Sequence, residues 1–390
     1  MVIHPITADA RLDQGDLSTD RSRYDIAVIG GGPAGLATAI VAAAAGRSVI
    51  VLERRGFAAD KACGEGVLPP GVEALRRLGV LAHLDDTEVR SFRGIHFFQE
   101  DGSSVEVPLP QGGGLGIRRT TLLKALTQRA QQLGVAVRYA TNVTNIKVEK
   151  DGAILRTAGP AVHASLVVAA DGLHSLFRRG AGLHCVSSLP RRFALRQHFL
   201  TTPWSESVEV YVDAFGEAVV TPVTADTVSV NFTWQDGAFY RPTIPTLLTR
   251  FPLLNTRLQD AEPISMPKGA GPMACGVSRR VAERFVLIGD AAGFVDSIAG
   301  DGLSIAFNSA LILGRHLSAL LQANSSEKSL EPYEREAHRL FRGYAIATKA
   351  MLFLARRPGT RRRVIHYLSR RRRLTGTIAR IAMAMMATAS

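Results

Sequence analysis

Three glycines and a glutamate carry the strongest chemical signal in the chain. Gly30, Gly32 and Gly35 stand in the spacing Gly-x-Gly-x-x-Gly within YDIAVIGGGPAGLATAIVAAAAGRSVIVLER, residues 24–54. The first glycine permits a tight turn, the second lets the backbone approach a pyrophosphate, and the third lets a helix pack closely on a strand. An apolar run (25–29) precedes the turn, an Ala-rich helical stretch follows it, and a second apolar run (48–52) ends in Glu53. The pattern predicts a strand–helix–strand unit whose helix N-terminus faces an anion. Glu53 is placed to accept a hydrogen bond from a ribose hydroxyl. Gly30, Gly32, Ala34, Gly35 and Glu53 are therefore the expected dinucleotide-binding residues.

A second cluster follows at residues 60–71, DKACGEGVLPPG, where Cys63 and Glu65 lie among three glycines and two prolines. Gly and Pro interrupt helix and strand alike, so this stretch reads as a loop. Cys63 and Glu65 are the candidate catalytic residues, either as a proton-donating acid or in gating the movement of a bound cofactor. Their structural readings are a small buried cysteine and a glutamate that is solvated or paired with a helix dipole. His96, His174 and His198 fall in strands or loops with no partner spacing, which favours structural or exposed roles. Arg196 and His198, two apart on one predicted strand, could share a face toward a substrate pocket.

The elements that must position these groups follow from periodicity and punctuation. Residues 71–84 have apolar positions at helical spacing, and 89–117 are strand-like with a hairpin turning at Asp101-Gly102. Residues 119–133 read as a helix, 135–168 as short strands, and roughly 192–234 as a second strand-rich region. RFVLIGDAAGF (284–294) returns to a buried strand and turn, and 302–322 is a long helix. QGGGLG (111–116) has the wrong spacing for a second fingerprint and reads as a flexible loop.

Two further segments narrow the cofactor. VVAADGLHSLFRR (167–179) contains Asp171-Gly172-x-x-Ser175-x-x-Arg178. FVLIGDAAGFVDSIAGDGLSIA (285–306) contains Gly289-Asp290 after a buried strand, then Gly300-Asp301-Gly302 opening a helix. Together with the fingerprint, in this order over residues 25–306, the motifs resemble the FAD-dependent oxidoreductases of the p-hydroxybenzoate-hydroxylase fold. That superfamily includes aromatic hydroxylases, geranylgeranyl reductases and flavin-dependent halogenases.

The resemblance implies an α/β fold: a Rossmann-like FAD-binding domain, an inserted β-rich substrate domain and a helical C-terminus. The FAD-binding domain would comprise 24–88, 118–190 and 275–335, and the substrate domain 89–117 and 191–274, with a basic helical region over 336–390. The resemblance also implies roles for single residues. Arg54 would sit beside Glu53 at the adenosine ribose, Arg119 near the FAD phosphates, and Asp290 on the ribityl chain. Asp171 would belong to the motif between FAD and a visiting nicotinamide. The turn from Gly300 to Gly302, with Gly289 ahead of it, would set backbone and a helix N-terminus against the flavin. One fingerprint alone implies no dedicated NAD(P) domain, so NAD(P)H would be a transient reductant in a shared cleft unless a separate reductase supplies the electrons.

The branches differ in what faces the flavin. Trp204 and Trp234 do not form the WxWxIP motif of halogenases, which disfavours halogenation. KACGEGVLP looks most like the cysteine-glycine loop of the reductases, with Glu65 where that branch has glycine. The reductases' aromatic YxWxFP segment is matched by GEAVVTP (216–222), without an aromatic residue. The first expectation is an NAD(P)H-dependent monooxygenase acting on a hydrophobic aromatic or polyketide-like secondary metabolite, free or carrier-tethered. The alternative is a C=C reductase of an isoprenoid or lipid, resembling geranylgeranyl reductase. A non-enzymatic alternative is a flavin-containing binding subunit that docks on a membrane or carrier protein.

Charge and cysteine content bound the setting. The 390 residues carry a net charge of +13, from 47 Lys and Arg against 34 Asp and Glu. Thirteen of the basic residues lie after Glu336, where no acid occurs; removing them leaves 34, equal to the acids. The body is neutral, and the excess concerns partners rather than fold. The tail could meet an anionic membrane surface or an acidic carrier protein, or cap the body as a helix with a solvated arginine face. No recognition motif supports nucleic acid. Cys63, Cys185 and Cys275 form no metal-ligand or disulfide spacing, which fits a reducing, cytoplasmic setting. Residues 1–23 are polar, lack an apolar signal region, and are expected to form a disordered leader.

Overall fold

The apolar runs of the fingerprint unit form the parallel strands Arg23–Ile29 and Val49–Leu52, joined by the helix Pro33–Ala44. A computed structural model describes residues 2–3, 23–110, 112–322 and 327–384. Ala136–Arg138 extends the parallel sheet on one side. Val162–Ala169 and then Phe285–Leu287 extend it on the other. Strands covered on both faces must be apolar throughout, and Ile26 to Ile29 and Val49 to Leu52 are all buried. Gly152–Arg156, Asn145–Glu149 and Val2–Ile3 add an antiparallel wing. Val2–Ile3 is thus tied to the sheet, a correction to the leader expected over 1–23; residues 4–22 lie outside the described residues.

Helix Gly302–Leu321 packs across Pro33–Ala44. Among the described residues it alone is long and apolar enough to cross a membrane, but 61% of that stretch is buried inside the protein. Its composition is that of an interior helix.

The second sheet has eight strands, with Arg192–Leu200, Thr227–Gln235, Gly216–Pro222, Ser207–Val212, Gly94–Gln99 and Ser104–Pro108 side by side. Both of its faces are covered, but by different chemistry. Phe199, Phe232, Trp234, Val230 and Val228 point to the outer face, under the short helices Ile244–Leu248 and Pro252–Arg257. The inner face turns toward the first domain. Its register aligns Arg196 with Asn231 and Val219, His198 with Ser229 and Thr221, and Ala194 with Thr233 and Glu217. Farther along, the same face becomes apolar through Val208 and Val210, paired with Ile95 and Phe97.

A small sheet of Gly66–Val67, Gly114–Ile117 and Val89–Phe92 sits between the two large ones. Over residues 114–116 this corrects the reading of 111–116 as a flexible loop; residue 111 lies outside the described residues. Glycine is needed there for close packing: a Cβ on Gly114 would lie 2.2 Å from the Phe92 ring, and one on Gly116 would lie 1.8 Å from the Pro222 carbonyl oxygen. The helix expected at 71–84 runs instead over Pro69–Arg77, because Pro is favourable in a first helical turn and Gly79 ends the run at φ +72°.

The basic tail forms the helices Glu327–Ala355, Pro358–Ser369 and Arg372–Ala384. The last two lie against Ser104–Pro108. Met383 joins Val208, Val210, Phe92 and Leu68 in one apolar cluster. Buried Arg361 donates to the Ala355 carbonyl at 2.5 Å and to Gln99 Oε1 at 2.9 Å, while Arg362 pairs with Asp101 at 2.6 Å. The tail therefore caps the apolar half of the inner sheet face.

Candidate functional site

The fingerprint glycines differ in why they are glycine. Gly30 has φ +105°, and a Cβ there would lie 2.5 Å from the Ala170 carbonyl oxygen. At Gly35 a Cβ would lie 1.9 Å from the Gly30 carbonyl oxygen. Both contacts are with backbone, which cannot move aside. Gly32 is open: the nearest atom to its Cβ position is Arg119 Nη2 at 3.7 Å. As N-cap of Pro33–Ala44 it offers no side-chain acceptor to the first helical amides. Arg119 Nε is buried and without a partner. An open glycine, an uncapped helix N-terminus and an unsatisfied guanidinium fit a pyrophosphate.

Glu53 accepts from the Gly31 amide at 2.6 Å and the Arg55 amide at 2.8 Å. Each oxygen keeps a lone pair for a ribose hydroxyl. Arg54 is exposed beside it. Gly289, at φ +60°, brings the Gly289-Asp290 turn onto the fingerprint helix, where its Cβ would stand 2.6 Å from Ala34 Cβ. The turn, Glu53, Arg119 and Asp290 could thus hold FAD along one edge of the sheet.

Arg178 links two of the sequence motifs. It is 1% exposed and donates to the Ala291 carbonyl at 3.0 Å and to the Leu173 carbonyl at 2.8 Å. The arginine after Asp171-Gly172 therefore clamps the Gly289-Asp290 turn. Asp171 Oδ2 accepts from the Leu176 amide at 3.0 Å, while Oδ1 is buried and unpartnered. Burial raises the Asp171 pKa above its ordinary value, against the hydrogen bond from Ser175. Asp301, at the N-terminus of Gly302–Leu321, is buried with Oδ1 unpartnered, and burial alone pushes it up to about 8. Burial thus favours its protonated form, which can donate a hydrogen bond. Gly300 is exposed at φ +69°, and Gly302 opens the helix.

The loop at 60–66 meets the inner face of the second sheet. Glu65 is 1% exposed and left-handed, with φ +59°. Its Oε1 accepts from the Arg119 amide at 2.8 Å, and its Oε2 lies 2.6 Å from His198 Nε2. Arg196 Nη1 donates to His198 Nδ1 at 2.8 Å, and its Nη2 reaches Asp60 and the Lys61 carbonyl. The Nε2 N–H of His198 is placed to donate to Glu65 Oε2. Thr221 Oγ1 donates to the Gly64 carbonyl at 2.8 Å. Burial pushes the Glu65 pKa up, but the hydrogen bond from His198 and its electrostatic attraction, then the Arg196 charge and the Arg119 amide, hold it below the ordinary carboxylate range.

Glu65 is thus a held anion, paired with a helix N-terminus, and the proton-donor expectation passes to Cys63. Cys63 is half-buried, and its Sγ accepts from the Glu65 amide at 3.4 Å. Burial raises its pKa despite the nearby Arg119, so it stays a thiol at neutral pH.

His198 has no partner spacing in the sequence, yet it is the partner of Glu65, on the face it shares with Arg196. Asp60, Arg192, Glu217 and Asp296 carry no motif that would single them out. Arg192 is buried between Glu217 at 2.5 Å and Asp296 at 2.6 Å, which closes the far end of the inner face. Glu65 itself is the available signal, because a glutamate where the resemblance implies glycine needs something to hold it.

Comparison with known proteins agrees with this geometry. The chain is 27% identical over 330 residues to digeranylgeranylglycerophospholipid reductase 2 of Methanosphaera stadtmanae, covering 79% of this chain and 81% of that one. It is 27% identical over 362 residues to the menaquinone reductase of Mycolicibacterium smegmatis, covering 85% of each. A flavoprotein/dehydrogenase structure from Cytophaga hutchinsonii superposes with a TM-score of 0.79 at 20% identity, over 94% of this chain and 93% of that one, a likeness of fold. The FAD binding domain family matches residues 23–345, and the chain belongs to that family of FAD-dependent oxidoreductases.

Proposed function

We propose that this protein is an FAD-dependent reductase of carbon–carbon double bonds, acting on an amphiphilic isoprenoid or lipid with NAD(P)H as reductant. The division of the inner sheet face carries the reading. One half presents Arg196, His198, Ser229, Asn231 and Thr233, and the other presents Val208, Val210, Ile95 and Phe97. Such a face suits a molecule with an oxygen-bearing head and a hydrocarbon chain that would lie between the apolar strands and the basic tail that caps them. The names of the two curated relatives, both reductases, support this reading beside the monooxygenase expected first.

FAD, held by Gly30, Gly32, Ala34, Gly35, Glu53, Arg119, Gly289 and Asp290, would supply a hydride to the alkene when bound. Ser229, whose buried hydroxyl has no partner, would orient the head group. Met383 and Phe92 would exclude water from the chain. Cys63, kept as a thiol, would give its proton to the second carbon.

The test is anaerobic turnover of the purified yellow protein with NADPH and a geranylgeranyl-chain lipid or a menaquinone. A product that gains two hydrogens without oxygen supports the proposal. A product that gains one oxygen atom, and only after air is admitted, replaces it with the monooxygenase reading. Flavin that is bound but never reduced by NADPH points to the binding subunit.

A further inference from the structure

We infer that Glu65 is a positioning residue that clasps the phosphate-side helix to the substrate-side sheet, so that cofactor retention depends on sheet docking through one carboxylate. Any effect on turnover rests on the proposed function; the effect on cofactor retention rests only on FAD binding.

The backbone supplies the first part of the argument. Glycine adopts φ +59° freely and glutamate does not, so Glu65 persists there because its surroundings over-determine it. No described atom lies within 4 Å of where a Gly64 Cβ would stand, while the Glu65 carbonyl accepts from the Ile117 amide at 2.9 Å and Gly66 pairs with Gly116. Beyond that backbone pairing, the Glu65 side chain is directed at two separate elements.

One carboxylate oxygen takes the amide of Arg119, the first residue of helix Arg119–Gln132. The guanidinium of the same residue reaches toward Gly32 and retains an unpartnered Nε. The other oxygen takes the Nε2 proton of His198, on strand Arg192–Leu200. Arg196, on the same strand and face, returns to the loop through Asp60 and the Lys61 carbonyl. Ser265 Oγ closes the ring's far side, 3.0 Å from His198 Nδ1. Glu65, His198 and Arg196 are buried and Asp60 partly so, in one continuous chain of contacts that ends at a helix N-terminus. Displacing the sheet from the loop would strand the Glu65 charge, and the Arg119 amide would move with it.

Glu65→Gly separates this role from simple backbone fit, because the two have opposite consequences. If conformation alone mattered, glycine would leave FAD binding unchanged and melting temperature equal or higher. The clasp instead predicts a roughly tenfold larger FAD dissociation constant, read by flavin fluorescence titration, and a lower melting temperature of the cofactor-stripped protein, because His198 and the Arg119 amide lose their acceptor. His198→Ala is expected to give a similar loss, and the double variant no more than either single one, because both remove the same link. Glu65→Gln keeps the volume but sets an amide N–H against the His198 N–H; it decides the question in the same way if Glu65→Gly does not fold. Wild-type FAD affinity in the folded variants, or losses that simply add, would overturn the inference. None of these readings depends on which substrate is reduced.

Discussion

Glu53 and Glu65 lie twelve residues apart, and each accepts a backbone N–H, but they belong to different kinds of structure. The partners of Glu53 are Gly31 and Arg55, inside one strand–helix–strand unit. The partners of Glu65 are Arg119 and His198, 54 and 133 residues away. Glu53 is half-buried with acceptor capacity left over, whereas both oxygens of Glu65 are engaged and its side chain is out of water. The first is an arrangement ready for a ligand. The second is a joint between domains, formed only when both sheets are in place. A carboxylate on a backbone amide is therefore not one device but two, distinguished by what its remaining lone pairs do.

The sharpest way to break this comparison is at the locally built end. Gly35→Ala sets a methyl 1.9 Å from a carbonyl oxygen that cannot yield. It should cost about 3 kcal/mol or more and abolish the yellow, FAD-loaded protein, read by flavin absorbance after purification. Recovery of wild-type flavin content would mean that the turn is not a close-packed cradle.

Next in size is Arg178→Met, which leaves the Leu173 and Ala291 carbonyls without their charged donor. A loss of about 2–3 kcal/mol in chemical denaturation is expected, with weakened FAD retention. An unchanged denaturation midpoint would remove Arg178 as the clamp between the two motifs.

The inner sheet face offers a test by pH. Glu217 is pushed up to about 7, first by burial, with Arg192 opposing and Asp296 reinforcing. A carboxyl with a raised folded pKa keeps its proton after the unfolded chain has lost its own. Stability should therefore fall as pH rises from the ordinary carboxylate range to about 7, by on the order of 3 kcal/mol, and level off above. Glu217→Gln should flatten that slope in thermal melts. Glu65 has the opposite sign: its contribution is complete above the ordinary carboxylate range and is lost as pH falls through its lowered pKa. If Glu217→Gln keeps the slope between pH 5 and 7, the assignment of that titration is wrong.

The smallest effect belongs to Glu53→Gln. With partners that are local and half-exposed, the change should alter stability by less than about 1 kcal/mol while weakening FAD binding several-fold. A stability loss as large as that of Arg178→Met would erase the contrast drawn between the two glutamates.

Much of the cofactor side was legible because its signals are local. The fingerprint unit, Glu53 and the Gly289-Asp290 turn each follow from punctuation and apolar runs over a few residues, and they fold into neighbouring strands and turns. Arg178 was visible as a motif residue but not as a clamp, since its partners come from another segment. The strand at Gly114–Ile117 could not be read from its sequence: its glycines answer to Phe92 and Pro222, which only the assembled small sheet brings near. His198 lacked a partner in sequence because its partner lies in the first domain.

Periodicity and the chemistry of glycine by themselves determined a dinucleotide fold with a β-rich excursion and a basic helical end. Those properties arise from backbone sterics and from hydrophobic spacing within a few turns or strands. Tertiary structure alone decided the rest: that the substrate-side sheet turns a half-polar face inward, that the basic tail caps the apolar half, and that Glu65 is a held anion rather than a free acid. Those outcomes depend on burial and on partners more than fifty residues apart, where the energy of a charged group is set by what surrounds it rather than by its neighbours in the chain.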